Sequence, residues 1–371
     1  MRVKLKDITK FSKGTQINGK NLIDDGAYSY LNGGINPSGK WNEFNVAENT
    51  VTISEGGNSS GYVNYMNEAF WCGAHCYYLY DGPKNSKYLY YALKSQQERL
   101  FRIRSGACMP NIKKSDLGNF IIEYEEDETR QEEVVKVLEK CELLIEDYNK
   151  KLALLDEAVR ARFVEMFGDP VINSCQFPVQ PMTDICDIID GDRGKNYPKS
   201  EEILDDGYCL FLNAKNVTQK GFDFENCNFI TREKDDALRN GKLSRGDVVL
   251  TTRGTVGNLA YYSKNVPYEN IRINSGMVIL RMNRSILNEI YFIELFKMKL
   301  SDIKEKIASG SAQPQLPIST MNKIILMIPP LELQNQFASF VQEIDKSRSR
   351  IQKSLEASQE LFDSLMQEYF G

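Results

Sequence analysis

Residues 134–167 read VVKVLEKCELLIEDYNKKLALLDEAVRARFVEMF, and their apolar side chains recur at alternating spacings of four and three positions. The same pattern recurs 203 positions later, with Phe337 in the place of Val134, and the two patterns close with Phe-Gly at 167–168 and at 370–371. A 3.5-residue apolar repeat sustained over about five heptads is typical of a coiled-coil seam. The sequence therefore predicts two long helices that pair through Val134, Leu138, Cys141, Ile145, Leu152, Phe337, Val341, Ile344, Ile351 and Leu355.

The segments that precede the two helices are also similar to each other in their order of elements. Alternating apolar residues between glycine- and proline-rich turns predict strands, for example at 208–212, 247–252, 259–262 and 276–281. Helices are expected at 87–99 and 289–307. We therefore expect an α+β protein with a pseudo-two-fold repeat: a β-rich module at 1–124, a long helix at 125–168, a second β-rich module at 172–330 and a second long helix at 331–371.

Charge is distributed unevenly along the chain, whose formal net charge is −5. The two helical regions carry −6 and −3, so the remainder of the chain carries +4. Mildly basic modules are compatible with a polyanionic ligand, and acidic helices suit solvent or a protein partner. No apolar run approaches the ~18 residues of a membrane span, and the eight cysteines form no disulfide framework. We therefore expect a cytoplasmic protein with reduced thiols.

Polar loops in the first module are candidates for DNA contact. The segment 34–41, GINPSGKW, is close to a phosphate-binding loop, but a working loop needs Ser or Thr after the lysine and a helix start. A loop that presents Lys40 and Trp41 to DNA, or a plain turn with a packed tryptophan, is the better interpretation. The glycine-rich loop at 56–62 presents Asn58, Ser59 and Tyr62 in a comparable context.

The second module carries three similar segments. Its loop at 191–198 holds Arg193, Lys195, Asn196 and Tyr197. Arginine and lysine pair with guanine or phosphate, asparagine pairs with adenine, and tyrosine stacks or bonds phosphate. Lys215 and Asn216 are expected to form a second polar tip, and Arg253 and Thr255 a third. Each segment taken singly is more often a surface turn, but together they favour a binding surface.

Catalytic and metal-binding patterns are weak. Cys72, His75 and Cys76 give three potential ligands, whereas a structural zinc site takes four. His75 is the single histidine of the chain, which argues against Ser/His/Asp and Cys/His catalysis. We therefore expect no metal and no catalytic residues in this chain.

Several segments, taken together, resemble the specificity subunits of type I restriction–modification systems. They are RFVEMFGDP at 162–170, QPQLPIS at 313–319 and IPPLELQ at 328–334, together with TISEGGNSSGYV at 52–63, DGDRGKNYP at 190–198, LTTRGTVG at 250–257 and RINSGM at 272–277. The resemblance covers essentially the whole chain. One departure lies before the first helix, where 125–128 is acidic and the second helix has Pro-Pro-Leu at 329–331.

The resemblance implies a DNA-recognition subunit without catalytic activity. Each module would be a target-recognition domain that reads one half of a bipartite double-stranded DNA site. The two helices would pack antiparallel, set the spacing of the modules and dock two methyltransferase subunits; Glu142, Glu146, Glu356 and Glu360 are candidate docking positions. S-adenosylmethionine, ATP and Mg would be used by the methyltransferase and restriction/motor subunits, and this chain would hold no cofactor.

Three other functions remain open from the sequence. The chain could be the recognition subunit of another split restriction–modification system, which differs only in its partners. It could be a hydrolase of phosphate esters or nucleotides that uses Lys40 and acidic loops. It could also be a coiled-coil adaptor without DNA contact. Turnover by the isolated chain would favour the hydrolase, and insensitivity to charge reversal in the module loops would favour the adaptor.

Overall fold

The computed structural model describes residues 1–106, 109–308 and 315–371, with side chains described outside 301–308. The chain divides into two compact units. Unit 1 comprises residues 1–151 and 351–371, and unit 2 comprises residues 152–350. Each long helix therefore contributes one part to each unit.

Unit 1 begins with a β-rich module. Its strands are β1 Arg2–Lys4, β2 Lys10–Lys13, β3 Tyr28–Leu31, β4 Gly39–Trp41, β5 Thr50–Ser54, β6 Val63–Met66, β7 Phe70–Cys72, β8 Cys76–Tyr80 and β9 Ile121–Glu123. Its helices are α1 Leu5–Ile8, α2 Ser86–Ser95, α3 Gln97–Arg102, α4 Lys114–Gly118 and the first part of α5 Glu128–Phe167, with a 3₁₀ turn at Gly19–Asn21.

Unit 2 contains a similar set of strands and helices. Its strands are β10 Val179–Pro181, β11 Cys186–Asp190, β12 Cys209–Leu212, β13 Val217–Thr218, β14 Gly221–Phe222, β15 Phe229–Ile230, β16 Val248–Thr251, β17 Leu259–Tyr261, β18 Ile271–Ile273, β19 Met277–Met282 and β20 Ile325–Met327. Its helices are α6 Met182–Ile185, α7 Arg232–Ala237, α8 Glu289–Ala308, α9 Ile318–Met321 and the first part of α10 Leu331–Phe370, with 3₁₀ turns at Ser200–Glu202 and Ala214–Asn216.

The sheets of the two units have the same topology. An antiparallel four-stranded sheet has the order β2-β8-β5-β6 in unit 1 and β11-β19-β16-β17 in unit 2. A three-stranded sheet follows in each unit: β3 pairs antiparallel with β4 and parallel with β7, and β12 pairs antiparallel with β15 and parallel with β18. The predicted α+β fold class with a repeated β-rich module is therefore confirmed.

The central strands explain why alternation was only a partial guide. In β5 and β16 almost every side chain is buried, because one face packs against the helices and the other against the loops and the second sheet. β16 is accordingly near-continuously apolar (VVLT), whereas β5 alternates (TVTIS) and buries its polar residues Thr52 and Ser54 as well. The predicted helix at 87–99 is divided at Gln96, whose backbone lies outside the helical region and whose side-chain amide donates to the carbonyl oxygen of Phe370 at 3.0 Å.

The predicted seam residues are shielded from solvent. Val134, Leu138, Cys141, Phe337 and Val341 are buried, and the remaining five are half-buried. In unit 2 the aromatic rings of Phe163 and Phe337 are 5.4 Å apart, and Asp156 lies 2.8 Å from Arg348. The contact partner of the later residue in α10 is the earlier residue in α5, so the two helices run antiparallel within this unit.

A buried glutamine anchors the start of each long helix. Gln131 and Gln334 are the fourth residues of α5 and α10, and both are buried. The Gln131 amide donates to the carbonyl oxygen of Glu125 at 2.6 Å, and the Gln334 amide donates to that of Pro329 at 2.8 Å. The acidic segment before α5 therefore makes the same contact with its helix as the proline-rich segment before α10.

Candidate nucleic-acid interface

Three loops of unit 2 meet at one end of its four-stranded sheet, where strands β11 and β16 end and strand β19 begins. Strands β11 and β16 both run antiparallel to β19, with Asp190 opposite Val278 and Thr251 opposite Met277. The loops that follow β11 and β16 therefore emerge where β19 begins, beside the turn 274–276 that connects β18 to β19. We call residues 190–197, 251–258 and 274–276, with Arg239, the unit 2 loop face.

Two predicted arginines lie on either side of the 274–276 turn. The Arg193 guanidinium donates to the carbonyl oxygen of Ser275 at 3.2 Å and to the Asp190 carboxylate at 3.1 Å. The backbone N–H of Arg253 donates to the carbonyl oxygen of Gly276 at 3.2 Å. Both side chains are exposed, so their cationic groups face solvent, while the backbone of each loop is held at the end of a strand.

The loop after β11 is held by a buried carboxylate. Asp192 accepts hydrogen bonds from the backbone N–H groups of Gly194 and Arg239, each at 2.7 Å. These two N–H groups hold the pKa of the Asp192 carboxyl below its usual value. Gly191 is required here, because a Cβ atom would collide with the carbonyl oxygen of Asn274.

Arg239 also lies on the unit 2 loop face, although the sequence did not predict a role for it there. Its side chain is 76% exposed, and its guanidinium lies 3.8 Å from Asp192. The segment around Arg239 has no motif that marks it for this position. A tertiary hydrogen bond to Asp192, 47 residues away along the chain, places it beside Arg193 and Lys195. Four cations, Arg193, Lys195, Arg239 and Arg253, are thus exposed on or beside these loops.

The other predicted residues of unit 2 have mixed positions. Thr255 and Lys215 are exposed. The Asn196 side-chain amide donates to the carbonyl oxygen of Ala237 at 2.9 Å, so this half-buried residue is partly engaged. The half-buried Tyr197 ring packs against Phe211, with ring centroids 5.7 Å apart.

The expectation that Asn216 forms an exposed polar tip is wrong. Its side chain is 1% exposed, and its amide donates to the carbonyl oxygens of Asp223 and Asn226 at 3.0 and 2.9 Å. Asn216 therefore braces the β13–β14 hairpin from inside. The hairpin itself lies beside the loop at 251–258, since the Asn258 amide donates to the carbonyl oxygen of Val217 at 2.9 Å.

Unit 1 carries its glycine-rich loop at the corresponding edge. This loop follows β5, whose Ser54 lies opposite Cys76 at the start of β8. Asn58 is exposed, and the Ser59 hydroxyl donates to the carbonyl oxygen of Gly33 at 2.6 Å. Tyr62 is half-buried, with the Lys94 ammonium 3.9 Å from its ring centroid.

Lys40 and Trp41 lie in β4, on the edge of the three-stranded sheet. Trp41 is opposite Tyr28 in β3 and contacts Trp71 edge-to-face, with ring centroids 6.4 Å apart. Lys40 is exposed. Because Gly39–Trp41 forms a strand, Lys40 is not followed by the helix N-terminus that a phosphate-binding loop requires. The nucleotide-hydrolase interpretation loses its main support.

The cysteines near His75 belong to the core of the first module. Cys72 and Cys76 are buried with Leu31, Val46 and Phe70. A hydrogen bond with Cys76 and burial raise the pKa of the Cys72 thiol, which opposes the thiolate form that binds metal. Among the residues that the structure describes, no group of three or more His, Cys, Asp or Glu side chains is placed to hold a metal ion.

The chain is similar to a family of known proteins over most of its length. The family model described as "Type I restriction modification DNA specificity domain" matches residues 1–156 and 177–359. A Mycoplasma genitalium protein described as a type I specificity subunit is 28% identical over 377 residues, covering 96% of this chain and 90% of the relative. A similar Mycoplasma pneumoniae protein is 25% identical over 380 residues, covering 99% and 94%.

A solved structure has the same fold. The crystal structure of a type I restriction–modification S subunit from M. genitalium aligns over 100% of this chain and 96% of its own, with a TM-score of 0.66 and 22% identity. Within the described residues, none of the helices combines the length and the apolar character needed to cross a membrane.

Proposed function

The chain belongs to the type I restriction modification DNA specificity family, and from this premise we propose that each unit reads one half of a bipartite DNA sequence. The DNA sequence-recognition role follows from the family. The division of that role between the two units is supported by one observation above all. The same sheet topology occurs twice, with polar loops at the same edge of each four-stranded sheet.

The chemistry of the unit 2 loop face supports contact with double-stranded DNA. Its four cations attract phosphates, and arginine can also donate two parallel hydrogen bonds to guanine in the major groove. The loops are fixed at strand ends by backbone hydrogen bonds, so little ordering is needed on binding. We expect Arg193, Lys195, Arg239 and Arg253 to make the contacts, and Asn216 to make none.

The two long helices are the proposed docking surface for protein partners. A specificity subunit of a type I restriction–modification system is expected to assemble with the other subunits of that system. On the outer surface of α5, Leu143 is 63% exposed in unit 1 and Leu154 is 60% exposed in unit 2. Exposed leucines beside acidic residues suit a protein interface. Because each unit holds one part of each helix, we propose that two methyltransferase subunits bind, and that restriction/motor subunits join through them.

The candidate docking positions are not equivalent. Glu146, Glu356 and Glu360 are exposed, whereas Glu142 is half-buried and accepts a hydrogen bond from the Tyr91 hydroxyl at 2.6 Å. Glu142 is therefore engaged in packing the helix against the module. Native mass spectrometry of the co-expressed complex tests the stoichiometry: two methyltransferases per chain support the proposal, and a saturated one-to-one complex contradicts it.

We place no catalytic step on this chain. Methyl transfer from S-adenosylmethionine and the use of ATP and Mg would belong to the partner subunits. The proposal is supported by the family and by the arginine- and lysine-rich character of the unit 2 loop face. Addition of this chain to the methyltransferase should confer site-specific methylation, and the chain alone should neither methylate DNA nor turn over nucleotide.

Methylation mapping of host DNA, with and without this chain, tests the function as a whole. We expect methylated adenines at a single bipartite sequence that disappear when the chain is removed. Methylation that is unaffected by its removal, or that follows a single continuous sequence, would contradict the proposal.

A further inference from the structure

Unit 1 has a charged cluster at the edge that corresponds to the unit 2 loop face. Lys13 ends β2 as Asp190 ends β11, and Glu55 follows β5 as Thr252 follows β16. His75 lies in the turn before β8, as Gly276 lies before β19. The backbone confirms the match: the N–H of Glu55 donates to the carbonyl oxygen of His75 at 2.8 Å, and that of Thr252 donates to the carbonyl oxygen of Gly276 at 2.8 Å.

A glycine at the equivalent position of each unit has the same role. Gly14 follows Lys13, and a Cβ atom there would collide with the carbonyl oxygen of Cys72, as one at Gly191 would collide with that of Asn274. Both loops are thus pressed against the turn that precedes the central strand. The three side chains of the cluster come from three separate segments that meet because of the sheet topology.

The side chains of the cluster contact one another. The Lys13 ammonium is 2.6 Å from one Glu55 carboxylate oxygen, and the His75 Nδ1 atom is 3.4 Å from the other. The Glu55 side chain is 15% exposed, whereas those of Lys13 and His75 are 44% and 61% exposed. The carboxylate therefore lies at the bottom of the cluster, and the two basic groups flank it. Lys13 also lies 5.6 Å from the ring centroid of Tyr77.

A purely structural ion pair is a poor account of this arrangement. An exposed salt bridge contributes little to stability, and partial burial of a carboxylate has a desolvation cost. What the cluster offers is a donor and an acceptor side by side, at the position in unit 1 that corresponds by topology to the loops on which unit 2 presents its arginines.

We propose that Lys13 and Glu55 read a G·C base pair in the half-site of unit 1, and that His75 is a positioning residue for Glu55. In the major groove, guanine presents two acceptors, N7 and O6, and its paired cytosine presents the N4 amino donor next to them. Lys13 would donate to guanine, and Glu55 would accept from cytosine. This inference rests on the proposed function, because it requires that unit 1 reads DNA.

Glu55→Gln in the assembled methyltransferase complex tests the inference. Wild-type methylation mapping first gives the two half-sites, and competition binding then uses duplexes that carry each of the four base pairs at every position. At one G·C position of one half-site, wild type should discriminate by about 5- to 150-fold. Glu55→Gln should reduce that discrimination several-fold, since the glutamine amide can donate as well as accept and no longer selects the cytosine amino group. The other half-site and the spacer should not change.

Glu68→Gln is the matched control. Glu68 is exposed in the turn between β6 and β7, at the opposite end of β6 from the cluster, and its replacement removes the same charge. If both variants shift affinity equally on every duplex, the effect is a change of charge and the inference is overturned. A wild-type complex that methylates no bipartite site would instead contradict the proposed function itself.

Two further variants keep the test independent of folding. Lys13→Gln changes a more exposed side chain and should relax the preference at the same base pair; an unchanged preference overturns the inference. His75→Gln can still donate to Glu55 and should keep the preference, whereas His75→Ala should weaken it several-fold. If both His75 variants keep the base-pair preference equally, His75 does not position Glu55. Thermal unfolding of each complex confirms that the variants are folded.

Discussion

Arg272 and Arg253 lie near the same turn of unit 2, and their environments are opposite. Arg253 is exposed on the loop face, whereas Arg272 is buried and donates to the Asp235 carboxylate and to the carbonyl oxygen of Asn240, the latter at 2.7 Å. The arginine within the RINSGM segment is therefore structural, and the one within LTTRGTVG is available to DNA. Residue type alone does not separate the two, because the difference lies in tertiary partners.

Arg253→Ala should weaken binding of the complex to its DNA. If the guanidinium pairs with guanine, the loss is about 1–3 kcal/mol on the cognate duplex and small on others. If it contacts a phosphate, the loss is similar on all duplexes and the salt slope falls by about one. Fluorescence titration at several salt concentrations separates the two. Lys264→Ala, which removes an exposed cation beyond the far end of β17, is the control and should have the smaller effect.

Asp235 should make unit 2 sensitive to acid. Burial raises the pKa of its carboxyl, but hydrogen bonds from Lys242 and Arg272 outweigh burial and hold the pKa below its usual value. A carboxyl whose folded pKa is lowered stabilises the protein above its unfolded pKa, near 3.9, and this contribution is lost as the pH falls through the folded pKa.

Urea denaturation of wild type and Asp235→Asn from pH 7 to pH 3 measures this contribution. The variant should be less stable at pH 7, and the difference should shrink as the pH falls below about 4. Asp236→Asn changes an exposed neighbour and should show little difference at any pH. A constant difference between Asp235→Asn and wild type would contradict the assignment.

At the scale of elements, the starts of α5 and α10 depend on the buried glutamines. Gln334→Leu should leave the carbonyl oxygens of Pro329 and Ile286 without their donor, which the wild-type amide reaches at 2.8 and 3.0 Å. We expect a loss of about 1–3 kcal/mol in the free energy of unfolding. Gln336→Leu, at an exposed position of the same helix, should be nearly neutral in chemical denaturation. Equal effects would show that the amide contributes nothing specific.

The long helices also carry the prediction that they set the spacer. Deletion of one matched heptad from α5 and α10 preserves the seam and shortens each helix by about 10.5 Å. We expect methylation mapping to show both half-sites unchanged and a spacer shorter by roughly three base pairs, at 3.4 Å per pair. Insertion of a heptad should have the opposite effect. New half-sites with an unchanged spacer would contradict the prediction.

Elements were predictable where local pattern and tertiary environment agree. The α5 and α10 helices follow from apolar periodicity, β16 and β19 follow from short apolar runs between turn residues, and the Pro329-Pro330 break before α10 follows from proline chemistry. The site was less predictable. Arg193 and Arg253 stand out in glycine-rich loops of unit 2. Arg239 is placed beside them by the bond from its backbone N–H to the distant Asp192 carboxylate, and Glu55 is placed in unit 1 by the bond from its N–H to the carbonyl oxygen of His75. Asn216 was misplaced because a polar residue in a turn can equally satisfy buried carbonyl groups.

The whole molecule repeats one arrangement of sheet, loops and helices in its two units. Both units place polar loops at the edge where the central strand of a four-stranded sheet begins, and both pack that sheet against parts of the same two helices. In unit 2 the loops carry arginines, and in unit 1 they carry a lysine, a glutamate and a histidine. The same scaffold with different loop residues is what independent reading of two half-sites requires.

Exchange of one module tests this central claim most directly. Residues 172–330 would be replaced by the corresponding module of a family member with a different, mapped target, and the chimera would be expressed with its own methyltransferase. Methylation mapping should then show one half-site replaced by that of the donor, with the other half-site and the spacer retained. Replacement of both half-sites, or of neither in a folded and assembled chimera, would contradict the account.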